Sequence, residues 1–228
     1  MRENLPIRYS ASSYDRYTDG FVAIYDDAML SRLAEEYAAR GGERLLVDVG
    51  TGTARLLVKL AQRSGLEKIR MIGLDYFEDM LAQARATVSE SGMTGRIDIV
   101  QGDAHQLPFP SESVDFVISR STIHHWAQPI RALAEIHRIL NPGGVALIHD
   151  IRRDPNPDVF KEFSRKREQA GITVPCRLDE KYTPQEVSEM LREAGLLEHA
   201  SIAAPTQGPG ALGFEVRIKK PRLQGIPS

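Results

Sequence analysis

Residues 45–54 read LLVDVGTGTA, and most of the architecture follows from them. An apolar run ends in Asp48, glycines follow at positions 50 and 52, and a helical pattern begins at Ala54. A buried strand therefore delivers a carboxylate to its carboxyl end and then turns sharply into a helix. Gly50 allows the turn, and Gly52 allows a ligand to approach the bare backbone. In an open α/β sheet, such a turn is a place where small molecules bind.

The glycine spacing shows whether the turn fits a dinucleotide ligand. A dinucleotide fingerprint requires a third glycine or alanine three residues after the second, which is position 55. Arg55 stands there, so the match to a nicotinamide-binding turn is poor.

Apolar strands alternate with helical patterns along the chain. Strands are predicted at 45–49, 69–74, 97–100, 114–119 and 145–148, with extended stretches at 196–202 and 213–218. Helices are predicted at 21–40, 54–63, 77–89, 130–140 and 159–169, and a turn at 141–144. This rhythm is typical of right-handed βαβ units, which build a parallel sheet with helices on both faces.

The pattern divides the chain into five parts. We expect an N-terminal helical cap at 1–42, a ligand-binding core at 43–151 and an insertion or lid at 152–182. A C-terminal helix and closing strands occupy 183–220, and 221–228 is a frayed tail. That helix has a start signal, because Thr183 can cap it, Pro184 suits its first turn and Glu186 completes a capping box.

Composition excludes several classes of protein. The 228 residues suit one domain with a good core. Net charge is −2, which gives no electrostatic case for a nucleic acid or membrane partner. A single cysteine, Cys176, excludes a disulfide framework and reads as a packed thiol. No secretion signal or membrane span is visible in the sequence, so we expect a cytoplasmic protein.

Polar residues stand where each apolar run stops. They are Asp48, Asp75, Asp103, Ser119 and the pair His149 and Asp150. A parallel sheet places these strand ends along one edge, so they converge on one crevice. Asp75, 23 residues past Gly52, is well placed to accept hydrogen bonds from both ribose hydroxyls of an adenosine group. Any single aspartate could instead cap a helix or end a strand.

Several segments together resemble one family. The acidic residue followed by G-x-G-x-A at 48–54 is similar to the first motif of class I S-adenosylmethionine (SAM)-dependent methyltransferases, with Ala54 in place of the last glycine. The segments DYFEDML at 75–81, GDA at 102–104 with LPF at 107–109, LNPGG at 140–144 and HHW at 124–126 extend the resemblance. They resemble the ubiquinone/menaquinone-biosynthesis type (methyltransferase type 11) branch, which acts on small molecules.

This resemblance implies a Rossmann-like, doubly wound, mostly parallel seven-stranded sheet with an antiparallel last strand. It also implies that Asp48 holds the methionine amino group and that the Gly50–Gly52 backbone passes beneath the methionine. Asp75 would bind the ribose diol. The remaining cofactor-binding positions are Tyr76 and Met80 beside the adenine, Asp103 and Ala104 at its edge, and Ser119 near the sulfonium.

The loop after the fourth strand carries the candidates for the reaction. His124 and His125 are candidate bases because imidazole titrates near neutral pH. A backbone or capping role is an alternative for either one, and a metal site is not expected because no third ligand has supportive spacing. Trp126 could stack on an acceptor. Arg120 could bind the donor's carboxylate or an anionic acceptor, or form an ordinary salt bridge.

Further residues could complete the acceptor site. Arg152 lies at the same rim and would favour a carboxylate or phosphate acceptor if it points inward. Tyr14 and Tyr17 could shield the sulfonium, or they could pack against the first helix.

The leading hypothesis is a SAM-dependent methyltransferase acting at O, N or C of a small molecule, with a homodimer left open. Two other functions stay open: a nucleotide-cofactor oxidoreductase, which Arg55 disfavours, and a SAM-binding regulatory protein without catalysis.

Overall fold

In the described residues, seven strands form one sheet: β1 Arg44–Val49, β2 Ile69–Asp75, β3 Ile97–Gln101, β4 Val114–Arg120, β5 Leu140–Ile151, β6 Ala200–Ala203 and β7 Gly213–Lys219. Their order across the sheet is β3-β2-β1-β4-β5-β7-β6. This computed structural model describes residues 23–169, 171 and 175–222. Strands β1 to β5 run parallel to one another, and β7 runs antiparallel to both β5 and β6. The predicted doubly wound sheet with a reversed last strand is therefore confirmed.

The α-helices are α1 Ala23–Ala38, α2 Arg55–Ala61, α3 Glu78–Glu90, α4 Pro129–Ile139, α5 Pro157–Gln169 and α6 Pro184–Glu193. Short 3-10 turns include Ile123–His125, Leu178–Glu180 and Leu197–His199.

The sheet separates two apolar layers. Alternate residues of each strand point to opposite faces, so Leu46 packs with α1 and α2 while Val47 packs with α4 and α6. Burial on both faces explains why the central strands are continuously apolar rather than alternating. The carboxyl ends of β1, β2, β4 and β5 are thereby held in a rigid row.

Two sequence expectations need correction. The predicted turn at 141–144 belongs to β5, as a bulge: the register jumps from Val114 opposite Leu140 to Phe116 opposite Val145. Gly143 takes a φ of 81° there and its N–H donates to Lys220. The extended stretch predicted at 196–202 is a strand only at Ala200–Ala203, because a 3-10 turn precedes it.

Described residues of the 152–182 segment pack against the end of β5. A small apolar cluster joins Ile151, Phe163 and Leu212, with Cys176 and Leu178 packed against it. Burial raises the pKa of the Cys176 thiol, as expected for a packed residue. The capping box predicted at Thr183 and Glu186 is confirmed. Across the described ranges, no helix is both long and apolar enough to span a bilayer.

Candidate functional site

The turn after β1 lies directly against two neighbouring strand ends. The N–H groups of Gly50 and Thr51 both donate to the Leu74 carbonyl, at 2.8 and 2.9 Å. Gly50 has a φ of 79°, and a Cβ built on it would lie 2.4 Å from Cγ2 of Thr122 in the loop after β4. Only glycine fits a left-handed backbone in such close contact. The turn is thus fixed between β2 and the loop that follows β4.

Asp48 and Asp75 stand on either side of this turn. Asp48 is 2% exposed, and its Oδ2 accepts a hydrogen bond from the Thr51 hydroxyl at 2.9 Å. The Asp75 carboxylate accepts from the N–H of Gly52 at 2.8 Å and from the N–H of Phe77 at 3.1 Å. The second aspartate is therefore bound to the backbone of the glycine turn itself.

Burial makes both carboxylates unusually basic. Desolvation raises the pKa of Asp48 to about 7, although Thr51 and Arg120 oppose the shift. Desolvation also raises the pKa of Asp75, against the opposing effect of its backbone N–H donors. A cationic group beside Asp48 would offset the unfavourable burial of its charge.

The end of β3 presents an aspartate with its own support. Asp103 accepts at Oδ1 from the His105 N–H at 2.9 Å and contacts His105 Nδ1 at 2.5 Å. His105 Nε2 accepts from the N–H of Gln128, so Nδ1 carries the proton and donates to Asp103. Ala104 is buried, Met80 is half-buried and Tyr76 is 63% exposed at the end of β2.

Ser119 is buried at the end of β4 and tied to β1. Its hydroxyl donates to the Val49 carbonyl at 2.7 Å and is in hydrogen-bond contact with the Thr122 hydroxyl. This network holds the β4 loop against the glycine turn.

His124, on that loop, is held between two charged residues. Its Nδ1 lies 2.5 Å from Oδ2 of Asp150, and its Nε2 is in hydrogen-bond contact with Nζ of Lys181. All three side chains are nearly buried. Desolvation raises the pKa of Asp150, but His124 and Lys181 outweigh it, and the net pKa is well below its usual range. The structure therefore joins the predicted His124 to the predicted strand-five aspartate.

The other two aromatic candidates of this loop are placed differently. The exposed His125 ring lies 3.8 Å from the His124 ring, centroid to centroid. Desolvation by the surrounding protein lowers the pKa of His125, and the nearby charges of His124 and Lys181 lower it further. Trp126 is 8% exposed and belongs to the apolar cluster beneath α4, where little of it is open to an acceptor.

The arginines expected to converge are each paired within the chain. Arg120 Nε lies 3.0 Å from Oδ1 of Asp26 on α1, which is the salt-bridge alternative for this residue. Arg152 forms a two-point contact with Asp154 at 2.8 and 3.0 Å. His149 lies opposite Arg120 in the register, and burial lowers its pKa to about 4.

Sequence reasoning missed Lys181, Asp26 and His105. Lys181 is 57 residues from its partner His124, and no local pattern predicts that contact. His105 could have been found, because it lies two residues from Asp103, as in aspartate-capped turns. The predicted Tyr14 and Tyr17 lie outside the described residues. Among the described residues, no group of three or more His, Cys, Asp or Glu side chains is arranged to hold a metal ion.

The sequence is similar to those of known methyltransferases. A family model described as a methyltransferase domain matches residues 47–148. A phosphatidylethanolamine N-methyltransferase of Cereibacter sphaeroides is 32% identical over 153 residues, which cover 64% of this chain and 70% of the relative.

The chain belongs to the class I SAM-dependent methyltransferases. An uncharacterized chloroplastic methyltransferase (At2g41040) of Arabidopsis thaliana is 39% identical over 50% of this methyltransferase. The ubiquinone/menaquinone biosynthesis C-methyltransferase UbiE of Roseobacter denitrificans is 32% identical over 67% of it. The matches span only 33% and 60% of these two relatives.

A solved SAM-dependent methyltransferase from Aquifex aeolicus shares the fold. The TM-score is 0.68 at 21% identity, with 93% of this chain and 99% of that chain covered. The cofactor of this family is SAM. Membership of the family therefore disfavours the hypothesis of a nucleotide-cofactor oxidoreductase.

Proposed function

We propose that this protein transfers the methyl group of SAM to an O, N or C atom of a small-molecule acceptor. One observation carries the proposal: Asp75 is hydrogen-bonded to the glycine turn that Asp48 precedes, and the His124–Asp150 pair stands at the next strand ends of the same edge. A site for a cationic adenosyl ligand and a site for proton transfer thus lie along one crevice.

The residues present fit the donor. Asp48 is buried with a raised pKa, so an ammonium or sulfonium nearby would stabilise its charged form. The Asp75 oxygens accept from the N–H groups of Gly52 and Phe77, and a carboxylate has further acceptor positions that ribose hydroxyls could use. Tyr76, which is exposed, and Met80 would flank the adenine. Asp103 would accept a hydrogen bond from the adenine amino group, and the Ala104 N–H would lie near a ring nitrogen. Gly50, Gly52 and Ser119 would line the methionine end.

When bound, SAM supplies a methyl group already activated by the sulfonium charge. The chain's own residues must align the acceptor with it, with reacting atoms about 3–3.5 Å apart. His124, oriented by Asp150, would accept a proton from an acceptor hydroxyl or amine. Direct roles stay predictions for six further residues: His125, Arg120, Trp126, Tyr14, Tyr17 and Arg152. To bind an anionic ligand, Arg120 and Arg152 would have to do so while paired with Asp26 and Asp154.

Calorimetric titration with SAM and S-adenosylhomocysteine tests donor binding. We expect both to bind and Asp75→Asn to weaken them by about 10- to 100-fold, since hydrogen bonds to charged groups contribute about 1.5–3 kcal/mol. Asp98→Asn is the matched control, because Asp98 is an exposed carboxylate paired with Arg70 on the neighbouring strand. Equal affinities for the two variants would remove Asp75 from the site.

Turnover separates an enzyme from a binding protein. Phenols, amines and enolisable acids are incubated with SAM, and S-adenosylhomocysteine release is followed by mass spectrometry. Tight donor binding without turnover of any acceptor would favour a regulatory protein. Sedimentation with and without SAM tests whether the chain forms a homodimer.

A further inference from the structure

The Lys181 ammonium is in hydrogen-bond contact with Nε2 of His124, the nitrogen that would accept a proton if His124 acts as a base. We propose that Lys181 is a positioning residue: it fills the Nε2 acceptor position of His124 with a hydrogen-bond donor until the acceptor's own O–H or N–H replaces it. This inference rests on the proposed function and narrows it to acceptors that carry a proton to donate.

The directions of the hydrogen bonds follow from the groups involved. A lysine ammonium has three donors and no acceptor, so His124 Nε2 must be the acceptor in its contact with Lys181. A neutral imidazole then carries its proton on Nδ1, which donates to the Asp150 carboxylate. Lys181 and Asp150 thus select the same tautomer from opposite sides of the ring, the tautomer that a base at Nε2 requires.

The backbone around Lys181 is fastened to the end of β5. Arg153 Nε donates to the Lys181 carbonyl at 2.8 Å, and the Arg153 N–H donates to the Tyr182 carbonyl at 2.9 Å. Arg153 also binds Glu186, which belongs to the capping box of α6. The lysine therefore projects from a fixed backbone, and the proposal requires only its side chain to move when the acceptor takes its place at Nε2.

Lys181 contacts the imidazole more closely than the carboxylate. Its Nζ is 4.0 Å from Oδ1 of Asp150, while it is within hydrogen-bond contact of His124 Nε2. A simple buried ion pair would place the ammonium on the carboxylate. The Asp150 Oδ1 atom instead accepts from the N–H of Ile151 at 2.7 Å. At 4.0 Å the Asp150 carboxylate still partly offsets the lysine charge.

The exchange conserves charge and atoms. The acceptor's O–H or N–H takes the place of the Lys181 N–H at Nε2. The acceptor's oxygen or nitrogen then forms a bond to the methyl carbon as the carbon–sulfur bond breaks, with its electron pair going to sulfur. The acceptor proton passes to Nε2, so the positive charge lost at sulfur appears on the imidazole.

Nitrogen NMR of the imidazole tests the arrangement without any acceptor. In ¹⁵N-labelled protein, we expect His124 to show a protonated Nδ1 and an unprotonated, hydrogen-bonded Nε2. Lys181→Met should shift the Nε2 resonance toward that of a free pyridine-type nitrogen and leave Nδ1 protonated. Lys181→Arg keeps a donor and should restore the original position. Lys166→Met, an exposed lysine on α5 paired with Glu162, is the matched control and should change nothing.

Chemical labelling gives a second measurement. Diethyl pyrocarbonate acylates accessible imidazole nitrogens, and fragment masses separate His124 from the exposed His125. We expect Lys181→Met to label His124 at least 10-fold faster, with His125 changed less than 2-fold. Circular dichroism melting confirms that each variant is folded. If Lys181→Met does not fold, Lys181→Gln, which retains a neutral donor, should preserve the Nε2 resonance.

Two results would overturn the inference: an Nε2-protonated tautomer in the unmodified protein, or an Nε2 resonance and labelling rate that ignore the loss of Lys181. Neither measurement uses SAM. A failure here is therefore distinguishable from failure of the methyltransferase proposal, which shows itself in donor titration.

Discussion

The proposed donor half and the proposed acceptor half of the site are built differently. In the donor half, Asp48 and Asp75 are held by a threonine hydroxyl and by backbone N–H groups of the glycine turn. In the acceptor half, side chains pair with one another: His124 lies between Asp150 and Lys181. The first half depends on backbone geometry, and the second depends on contacts between distant segments.

This difference indicates what each half tolerates. Removing an acceptor-half side chain leaves the glycine turn untouched, so donor affinity should not change. Altering the turn moves the backbone between β2 and the β4 loop, so it should harm donor binding and folding together.

The largest expected effect tests whether the halves are separable. His124→Ala should lower turnover by about 100- to 10,000-fold, the usual contribution of a positioned acid or base. Donor affinity by calorimetry should stay within about 2-fold, since the described hydrogen bonds of the His124 imidazole go to Asp150 and Lys181. His199→Ala, an imidazole stacked on His137 away from the crevice, is the control and should retain turnover. A His124→Ala protein that loses donor affinity would break the comparison.

The second effect concerns the glycine turn. Gly50→Ala should destabilise the fold by about 2–4 kcal/mol, because it adds a left-handed backbone penalty to an overlap with Thr122. Gly92→Ala is the matched variant: its φ is 69°, but its Cβ would meet nothing within 4 Å. Its loss should be about 1 kcal/mol from backbone strain alone. Denaturant unfolding measures both.

Thr122 identifies the source of the difference. Thr122→Ser removes the Cγ2 atom, so the double variant Gly50→Ala with Thr122→Ser should recover part of the stability that Gly50→Ala loses. Equal losses for Gly50→Ala and Gly92→Ala would show that close packing of the turn is unimportant.

The same difference explains which features of the fold and site could be predicted from the sequence and which could not. The parallel sheet and the positions of Asp48, Asp75 and Asp103 at one edge follow from local signals: apolar runs, glycines and strand-end acids. The reversed last strand was predicted only from the resemblance to the methyltransferase family. The bulge at 141–144 was not predictable, because Gly143 pairs with Lys220, a residue from the far end of the chain. Nor was the partner of Arg120, which lies on α1, or that of His124, which follows a 3-10 turn in the 152–182 segment.

The third effect links stability of the donor half to pH. The folded pKa of Asp48 is about 7, above its unfolded value of about 3.9. Its contribution to stability is therefore fully present below about pH 4 and is lost as pH rises to about 7. Asp48→Asn has no charge to bury, so it should be more stable than the parent protein at pH 8 by about 1–3 kcal/mol. The two proteins should converge near pH 4.

Subtracting the two unfolding curves cancels the other titrating groups, since both proteins share them. Donor binding should show the opposite trend: a cationic ligand favours ionised Asp48, so the parent protein's affinity for SAM should rise with pH and level off above about 7. A pH-independent stability difference would mean that Asp48 is ionised without its ligand.

The smallest effect concerns Asp103, a donor-half carboxylate that contacts the side chain of His105. Asp103 is held by an imidazole, and His105 in turn accepts from the Gln128 N–H just before α4. His105→Ala should weaken SAM binding by about 2- to 5-fold, because one hydrogen bond contributes about 0.5–1.5 kcal/mol and Asp103 keeps exposed oxygens that water can satisfy.

His105→Asn distinguishes orientation from charge in that experiment. Its side-chain amide can donate to Asp103 but is never charged, so near-normal affinity in calorimetry would show that a donor alone orients the carboxylate. An Asn variant as weak as the alanine variant would mean that the link through the ring to Gln128 is needed. The adenine end would then depend on the position of α4, and the two halves would share a support.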